Sequence, residues 1–127
     1  MPRRQSQTLT EAELRIMKVL WRKGSGTVQL ILDCLSEDPP LAYNSVLTTI
    51  RVLERKGYVK HSKDGRAHVY VPLVGQEEAS RSEISHLVGR FFKNSHEQLV
   101  LNILEDRGVE RREIDRLREM LERGGAK

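Results

Sequence analysis

The chain has 127 residues, of which 38% are hydrophobic and 5% aromatic, so it can bury one modest core with a small appendage. No apolar run approaches the roughly 20 residues of a membrane span, the opening segment lacks the apolar stretch of a signal peptide, and the lone Cys34 excludes an internal disulfide or a cysteine zinc site. We therefore expect a mainly helical cytoplasmic protein without a metal or other cofactor.

Basic residues are concentrated in the first part of the chain. Residues 1–73 contain 12 Lys and Arg against 7 Asp and Glu, whereas residues 74–127 contain 10 against 11. A basic surface attracts the phosphate backbone of nucleic acid, although an acidic protein or an anionic membrane would be attracted as well. With the turn-like Val74-Gly75 as a boundary, this asymmetry predicts two domains, 1–73 and 74–127, of which the first binds DNA.

The segment Thr10-Glu11-Ala12-Glu13 predicts the start of a first helix, because Thr and Glu at this spacing satisfy free amides as a capping box. The helix is expected to run to about Lys23, before Gly24. Its apolar face is predicted to hold four residues: Leu14, Met17, Leu20 and Trp21.

A second, shorter helix is predicted after Thr27, whose side chain can cap it. Cys34 lies in this helix among apolar neighbours and is expected to be a small core residue. The segment Asp38-Pro39-Pro40 then breaks the chain. The inward positions of the helix are predicted to be Val28, Ile31, Leu32 and Leu35.

A third helix is predicted from Tyr43 to Lys56, with one apolar and one polar face. The apolar stripe consists of Val46, Leu47, Ile50 and Leu53. The opposite face carries amide, hydroxyl and guanidinium groups, which bond base edges and phosphates in a major groove. These outward residues are Asn44, Thr48, Arg51 and Arg55. An ordinary solvated helix remains the alternative for this segment taken alone.

A β-hairpin is predicted after Gly57, from Tyr58–Ser62 and Ala67–Val71. The connecting Lys63-Asp64-Gly65-Arg66 favours a type I′ turn centred on Asp-Gly. Three helices followed by a hairpin with a basic tip are the organisation of a winged helix-turn-helix domain.

The winged-helix interpretation assigns roles to the polar residues of the third helix and the hairpin. The residues expected to read bases are Asn44, Ser45, Thr48 and Arg51. Those expected to contact the DNA backbone are Arg55, Lys60, Lys63 and Arg66. Two alternatives stay open: the hairpin charges serve only solubility, or the module docks on another protein instead of DNA.

Residues 74–127 are predicted to be helical, with helices over 76–92 and 110–123 and a short helix between them, which Asp106-Arg107-Gly108 closes. Ser95-His96-Glu97-Gln98 is a further possible capping box. These residues are too few and too one-sided in their apolar pattern for a self-sufficient core, so we expect a homodimerisation domain; folding back on the winged helix is the alternative. The expected interface residues are Leu99, Ile103, Ile114, Leu117 and Leu121.

Enzyme motifs are missing from the pattern of His, Ser and Cys residues. His61 and His68 can face each other across the hairpin, while His86 and His96 lie far along the chain without metal-ligand spacing. The chain is therefore expected to be mainly α with a small β-hairpin, to comprise a winged helix followed by a dimerisation domain, and not to be an enzyme.

Four segments carry a resemblance to a known family. LTEAELRIMKVLW is similar to the family's opening helix, LAYNSVLTTIRVLERKGYV to its recognition helix and following turn, and RAHVYVPL to its returning wing strand. SHEQLVLNILED is similar to the segment that carries the family's regulatory cleavage site. The chain thus resembles, over nearly its whole length, the penicillinase repressors of the BlaI, MecI and CopY group.

The resemblance implies a homodimer that binds an inverted repeat in double-stranded DNA at a promoter and represses resistance or stress genes. In the family's best understood members, a membrane-bound sensor and zinc metalloprotease responds to a β-lactam, and the repressor is then cut between an Asn and a Phe in its dimerisation domain. The matching bond here joins Asn102 to Ile103, where Ile stands in place of Phe. Copper-sensing members carry a late cysteine cluster, and no Cys follows Cys34.

Overall fold

The computed structural model describes residues 8–35, 41–106 and 108–125. They form a mainly helical chain with one antiparallel hairpin, which confirms the predicted fold class. The predicted break at Asp38-Pro39-Pro40 lies outside the described residues. The elements are α1 (Glu11–Lys23), α2 (Val28–Cys34), α3 (Tyr43–Lys56), β1 (Val59–Asp64), β2 (Ala67–Pro72), α4 (Gln76–Phe91), α5 (His96–Leu104), α6 (Arg111–Met120) and a π-helical turn (Leu121–Gly125).

The chain divides into two compact units, one up to His86 and one from Leu87 onward. The sequence-based boundary after Leu73 falls inside the first unit, because Val74 is buried in that unit's core and accepts a 2.8 Å hydrogen bond from Trp21 Nε1. The first unit therefore holds α1 to α3, the hairpin and the beginning of α4. The assignment of DNA binding to one domain and dimerisation to the other stays a prediction.

The core of the first unit lies between α1, α2, α3 and the hairpin. The stripe predicted for α3 is confirmed at Val46, Ile50 and Leu53, which are fully buried, whereas Leu47 is half-buried. The face predicted for α1 is shifted, because helix packing turns a neighbouring stripe inward. Its buried apolar residues are Ile16, Met17, Val19 and Leu20, while Leu14 and Trp21 are only half-buried.

The N-terminal cap of α1 is tied to the C-terminal end of α3. Thr10 and Glu13 form the predicted capping box, with the Glu13 amide donating to Thr10 Oγ1 at 3.1 Å. Glu13 is buried, and Lys56 Nζ donates to its Oε1 at 2.8 Å and to the Thr8 carbonyl at 3.2 Å. A carboxylate is costly to bury unless it is paired, so this ion pair fixes α3 against α1.

The hairpin has a different turn from the predicted one. Asp64 pairs with Ala67, which leaves Gly65 and Arg66 as the two-residue loop. Gly65 has a φ of +66° and Arg66 is not among the described residues with positive φ, a combination typical of a type II′ turn with Gly first. The turn is thus displaced by one residue, because Asp64 continues the strand and the glycine takes the strained position.

A further strand-like contact anchors the hairpin to the loop between α1 and α2. The Gly26 amide donates to the Tyr70 carbonyl at 3.0 Å, and the Tyr70 amide donates to the Gly26 carbonyl at 2.8 Å. Tyr70 is itself buried. Because both backbone groups of β2 are satisfied at this point, the hairpin is held in a fixed place beside α3.

The second unit begins in the last turns of α4 and continues through α5 and α6. Ser95 caps α5 by accepting a 3.1 Å hydrogen bond from the Gln98 amide. Among the described residues from Leu87 onward, Val88 is the one large apolar side chain that is buried. Large apolar residues that stay exposed are Leu87, Phe91, Val100, Leu101, Ile103, Leu104, Leu117, Met120 and Leu121.

Candidate nucleic-acid interface

The outward face of α3 presents the polar residues that the sequence singled out. The helix begins without a side-chain cap, after Ala42. It ends at Gly57, whose φ of 91° is the left-handed conformation that glycine adopts readily. Between these ends, the buried stripe turns the opposite face to solvent. The predicted base-reading and backbone residues on it are all exposed: Asn44, Ser45, Thr48, Arg51 and Arg55.

These five residues do not share one line along the helix. With about 100° between successive residues, Asn44, Thr48, Arg51 and Arg55 fall within a narrow strip. Ser45 lies about a quarter turn away, next to Thr49, whose hydroxyl donates to the Ser45 carbonyl at 2.8 Å. The strip has hydroxyl, amide and two guanidinium groups in the arrangement that suits a major groove.

The hairpin contributes three exposed basic residues, Lys60, Lys63 and Arg66. Successive side chains of a strand point to opposite faces, so Lys63 shares a face with buried Val59, which is the face toward the core and α3. Lys60 lies on the other face. Arg66 occupies the turn itself. Lys63 therefore lies on the face of the hairpin toward α3, whereas Lys60 does not.

Two histidines and one glutamate line the boundary between the hairpin and α3. His61 Nδ1 lies 2.8 Å from Glu54 Oε2, so the imidazole donates this hydrogen bond to the carboxylate. The His68 ring is stacked on the His61 ring, with centroids 4.4 Å apart and planes at 15°. From the sequence, the two histidines are expected to face each other across the hairpin. They are diagonal neighbours and not direct partners, because His61 pairs with Tyr70 and His68 pairs with Lys63.

A cleft of about 320 Å³ opens between the start of α3, the hairpin turn and the start of α2. Tyr43, the first residue of α3, stands beside it with 46% of its surface exposed. Tyr43 is absent from the predicted site because its place in the cleft depends on residues of α2 and the hairpin, which are distant in the sequence. The cleft is lined by Thr27, Val28, Gln29, Tyr43, Leu47, Arg66, Ala67, His68 and Tyr70.

Tyr70 forms the floor of this cleft in its neutral form. Burial raises the pKa of the Tyr70 hydroxyl, and the nearby Glu54 carboxylate raises it further, against a smaller lowering effect of Arg51. Both arginine and glutamate of α3 are thus close enough to act electrostatically on β2. The sequence gives no indication of this, because α3 and β2 meet only in the fold.

The second unit places the predicted dimerisation residues on a largely exposed surface. Leu117 and Leu121 are 48% and 64% exposed, Ile103 is exposed, and Leu99 and Ile114 are half-buried. An apolar groove of about 600 Å³ separates α5 from α6. Its lining residues are Val100, Leu104, Ile114, Leu117, Arg118, Met120 and Leu121.

The bond predicted for cleavage lies in the last turn of α5, where Asn102 and Ile103 are both exposed. The Glu105 amide closes the helix by bonding to the Leu101 and Ile103 carbonyls. Within the described ranges, no group of three or more His, Cys, Asp or Glu residues is arranged to hold a metal ion, and no helix could span a membrane.

Comparison with known proteins decides the family. The sequence model of the penicillinase repressor family matches residues 9–123. The chain belongs to the penicillinase repressor family. It is 29% identical over 114 residues to the penicillinase repressor of Bacillus licheniformis, with 90% of this chain and 89% of that protein covered.

Other members of the penicillinase repressor family are similar as well. Methicillin resistance regulatory protein MecI of Staphylococcus aureus strain N315 is 24% identical over 113 residues, which cover 89% of this chain and 92% of that protein. Transcriptional regulator BlaI of Mycobacterium tuberculosis strain CDC 1551 / Oshkosh is 37% identical over 71 residues, which cover 55% of this chain and 51% of that protein.

A solved structure confirms the fold of the first unit. The solution structure of the DNA-binding domain of the repressor BlaI superposes with a TM-score of 0.53 at 28% identity, covering 61% of this chain and 93% of that one. The relatives are named as repressors and transcriptional regulators, which confirms the prediction of a regulator and not an enzyme.

Proposed function

We propose that this chain is a homodimeric transcriptional repressor that binds a palindromic operator. In this proposal α3 enters the major groove, the hairpin acts as a wing on the DNA backbone, and the second unit joins two copies. The exposed strip of Asn44, Thr48, Arg51 and Arg55, next to a basic wing, is the observation that carries the DNA-binding part. Family membership and the fold shared with the BlaI DNA-binding domain support it.

The proposed division of labour within the first unit follows from side-chain chemistry. Asn44, Thr48 and Arg51 lie toward the start and middle of α3, where a recognition helix brings side chains to base edges. Arg55 lies in the last turn, and Lys60, Lys63 and Arg66 lie on the wing, where cations meet phosphates and hold the helix in register. The base-reading residues give sequence preference, and the wing gives salt-dependent affinity.

Dimerisation is proposed from the second unit's exposed apolar surface. Val88 is the one large apolar residue buried there among those the structure describes, while the groove between α5 and α6 is open and lined mainly by apolar side chains. A contiguous apolar surface of this kind is typical of a protein interface, and closed homodimers most often use a two-fold axis. Two heads related by a two-fold axis would read an inverted repeat.

Derepression is proposed to follow from proteolysis of the bond between Asn102 and Ile103. The bond is exposed and lies at the end of a nine-residue helix, where fraying opens the backbone to a protease at low cost. A cut there separates α6, together with Ile103 and Leu104, from the rest of α5. The two heads then lose their tether and bind each half-site alone. A membrane sensor-protease system is the proposed source of the signal.

The test of DNA recognition is a fluorescence-anisotropy titration on the DNA upstream of the protein's own gene, against scrambled DNA, at several salt concentrations. The proposal predicts a preference of at least about 1000-fold and a steep decrease of affinity with salt. Weak binding that is equal on both DNAs would contradict it and would point to a protein partner for α3.

The wing is tested in the same titration by Lys63→Ala. Removal of one phosphate contact should lower the slope of log affinity against log salt by about one and weaken binding to both DNAs. Lys18→Ala removes an exposed lysine from α1 and serves as the matched control. An unchanged slope for Lys63→Ala would remove this residue from the interface.

The cleavage step is tested with a fragment that ends at Asn102. The proposal predicts that this fragment keeps its salt-dependent binding but loses most of its affinity for the complete operator, because its heads no longer act as a bivalent unit. A fragment that binds the operator as tightly as the intact chain would contradict the mechanism.

A further inference from the structure

The cleft between α3 and the wing has the chemistry of an anion site. Arg66 stands at the turn on one side, and Tyr43 stands at the start of α3 on the other. His68 and Gln29 add polar groups between them, and no acidic side chain is among the lining residues. At about 320 Å³, the cleft is large enough for roughly ten water molecules, and therefore for a phosphate group with part of its hydration shell.

The acidic residue of α3 is hydrogen-bonded to the hairpin. Glu54 accepts the 2.8 Å hydrogen bond from His61, which draws its carboxylate toward β1. His68 stacks on the far side of the His61 ring. A carboxylate free to face the cleft would repel a phosphate, whereas this hydrogen bond directs the Glu54 carboxylate toward β1, and Arg66 supplies positive charge at the rim of the cleft.

The expected path of the DNA indicates which group fills the cleft. This step rests on the proposed function: if the strip of α3 lies in a major groove and the wing tip reaches the neighbouring groove, one strand of the sugar-phosphate backbone must pass between them. The cleft is the space between these two elements. An anionic backbone and a cleft with a cationic rim are complementary in charge.

We propose that this cleft binds one phosphate of the operator backbone, with Arg66, His68 and the Tyr43 hydroxyl as its ligands. Arg66 contributes the positive charge, and Tyr43, at the start of α3, donates a hydrogen bond from its hydroxyl. His68 donates from its ring, which His61 holds in place by stacking. Tyr43 and His68 thereby join the DNA-binding residues, and neither is in the set predicted from the sequence.

The experiment replaces single phosphates of the operator by uncharged methylphosphonates, one position at a time, and measures the affinity of the full chain for each DNA. For the unmodified protein, the proposal predicts one position beside the wing in each half-site where the replacement weakens binding by about tenfold or more. The same scan is then run with His68→Gln, Arg66→Gln and Tyr43→Phe. All three residues are exposed, and circular dichroism checks that each variant is folded.

The predicted result is a coupling between protein and phosphate. Each variant binds the unmodified operator more weakly, and the penalty at that position of each half-site shrinks while penalties elsewhere keep their size. His86→Gln alters another exposed histidine, on α4, and should leave the whole scan unchanged.

Two outcomes overturn the proposal in distinguishable ways. If the protein prefers its operator but the variants keep the full penalty at every position, the cleft holds no phosphate and the repressor function stands. If no operator preference exists for the unmodified protein, both this proposal and the proposed function fail.

Discussion

The two units of the chain treat their apolar residues in opposite ways. In the first unit, Ile50, Leu53 and Tyr58 are fully removed from solvent, and the ion pair of Glu13 with Lys56 locks α3 in place. In the second, Phe91 and Leu121 remain 63% and 64% exposed, and of the described residues from Leu87 onward only Val88 is a large apolar group that is buried. Amphipathic helices thus give a closed core in one unit and an open one in the other.

The two units therefore gain their stability from different sources. A domain that buries its own core is stabilised independently of concentration, whereas one that leaves apolar stripes open gains stability from a partner by mass action. We infer that the first unit supplies a rigid reading head and the second supplies association. Substitutions in each unit test this contrast.

The largest expected effect comes from placing a charge in the second unit's groove. Leu117→Asp should give monomers, because an unpaired carboxylate would be buried in the proposed interface. Loss of the tether should weaken operator binding by about 100-fold or more. Light scattering and anisotropy measure the two effects. Arg112→Asp places a carboxylate on the opposite face of α6, with a larger change of net charge, and should stay dimeric; a dimeric Leu117→Asp would mean that another surface associates.

In the first unit, we expect a cavity in the core to lower the free energy of unfolding. Ile50→Ala removes a fully buried side chain from α3, and we expect a loss of about 2–5 kcal/mol in the free energy of unfolding. The milder Ile50→Val should cost about 0.5–1.5 kcal/mol. Chemical denaturation at two protein concentrations measures both. A loss for Ile50→Ala that depends strongly on concentration would show that the head is not stable by itself.

Substitutions on the exposed strip of α3 should change specificity and leave stability alone. Thr48→Ala and Arg51→Ala are each expected to weaken operator binding by about 1–3 kcal/mol and to leave binding to random DNA nearly intact. Arg22→Ala, at the end of α1, is the control for lost positive charge. Equal losses of affinity for operator and random DNA would mean that these residues contact the DNA backbone and not base edges.

The smallest effect concerns alkaline stability of the first unit. Burial raises the pKa of the Tyr58 hydroxyl, and the carboxylates of Glu83, Glu13 and Glu78 raise it further. The folded state therefore holds this proton more tightly than the unfolded state. The resulting stability is complete below the ordinary tyrosine pKa of about 10 and is lost as pH rises through the folded value. Unfolding midpoints measured from pH 8 to 11 should fall less steeply for Tyr58→Phe than for the natural chain, and parallel curves would contradict this assignment.

Much of the fold follows from local signals in the sequence. The capping box of Thr10 and Glu13, the Thr27 cap and the stripe of α3 each depend on residues within one or two turns, and the structure confirms them. What the sequence could not provide are relations between distant residues. Burial of Glu13 depends on Lys56, 43 positions away, and no periodicity reveals such a partner.

The candidate site shows the same limit. The polar strip of α3 is visible as a helical pattern, because only one helix is needed to define it. Tyr43 and His68 are brought to one cleft by the packing of the wing against α3, and the turn that carries Arg66 is displaced by one residue from the expected register. The hydrogen bond between Glu54 and His61 likewise joins two elements and is absent from any local pattern.

The most direct test of the whole account compares one complete inverted repeat with the same DNA in which one arm is scrambled. Anisotropy titrations with the intact chain give affinity and stoichiometry for both. The account predicts two chains on the complete repeat and binding to the single arm that is weaker by about 100-fold or more. One chain per DNA with equal affinity for both would contradict the dimeric repressor.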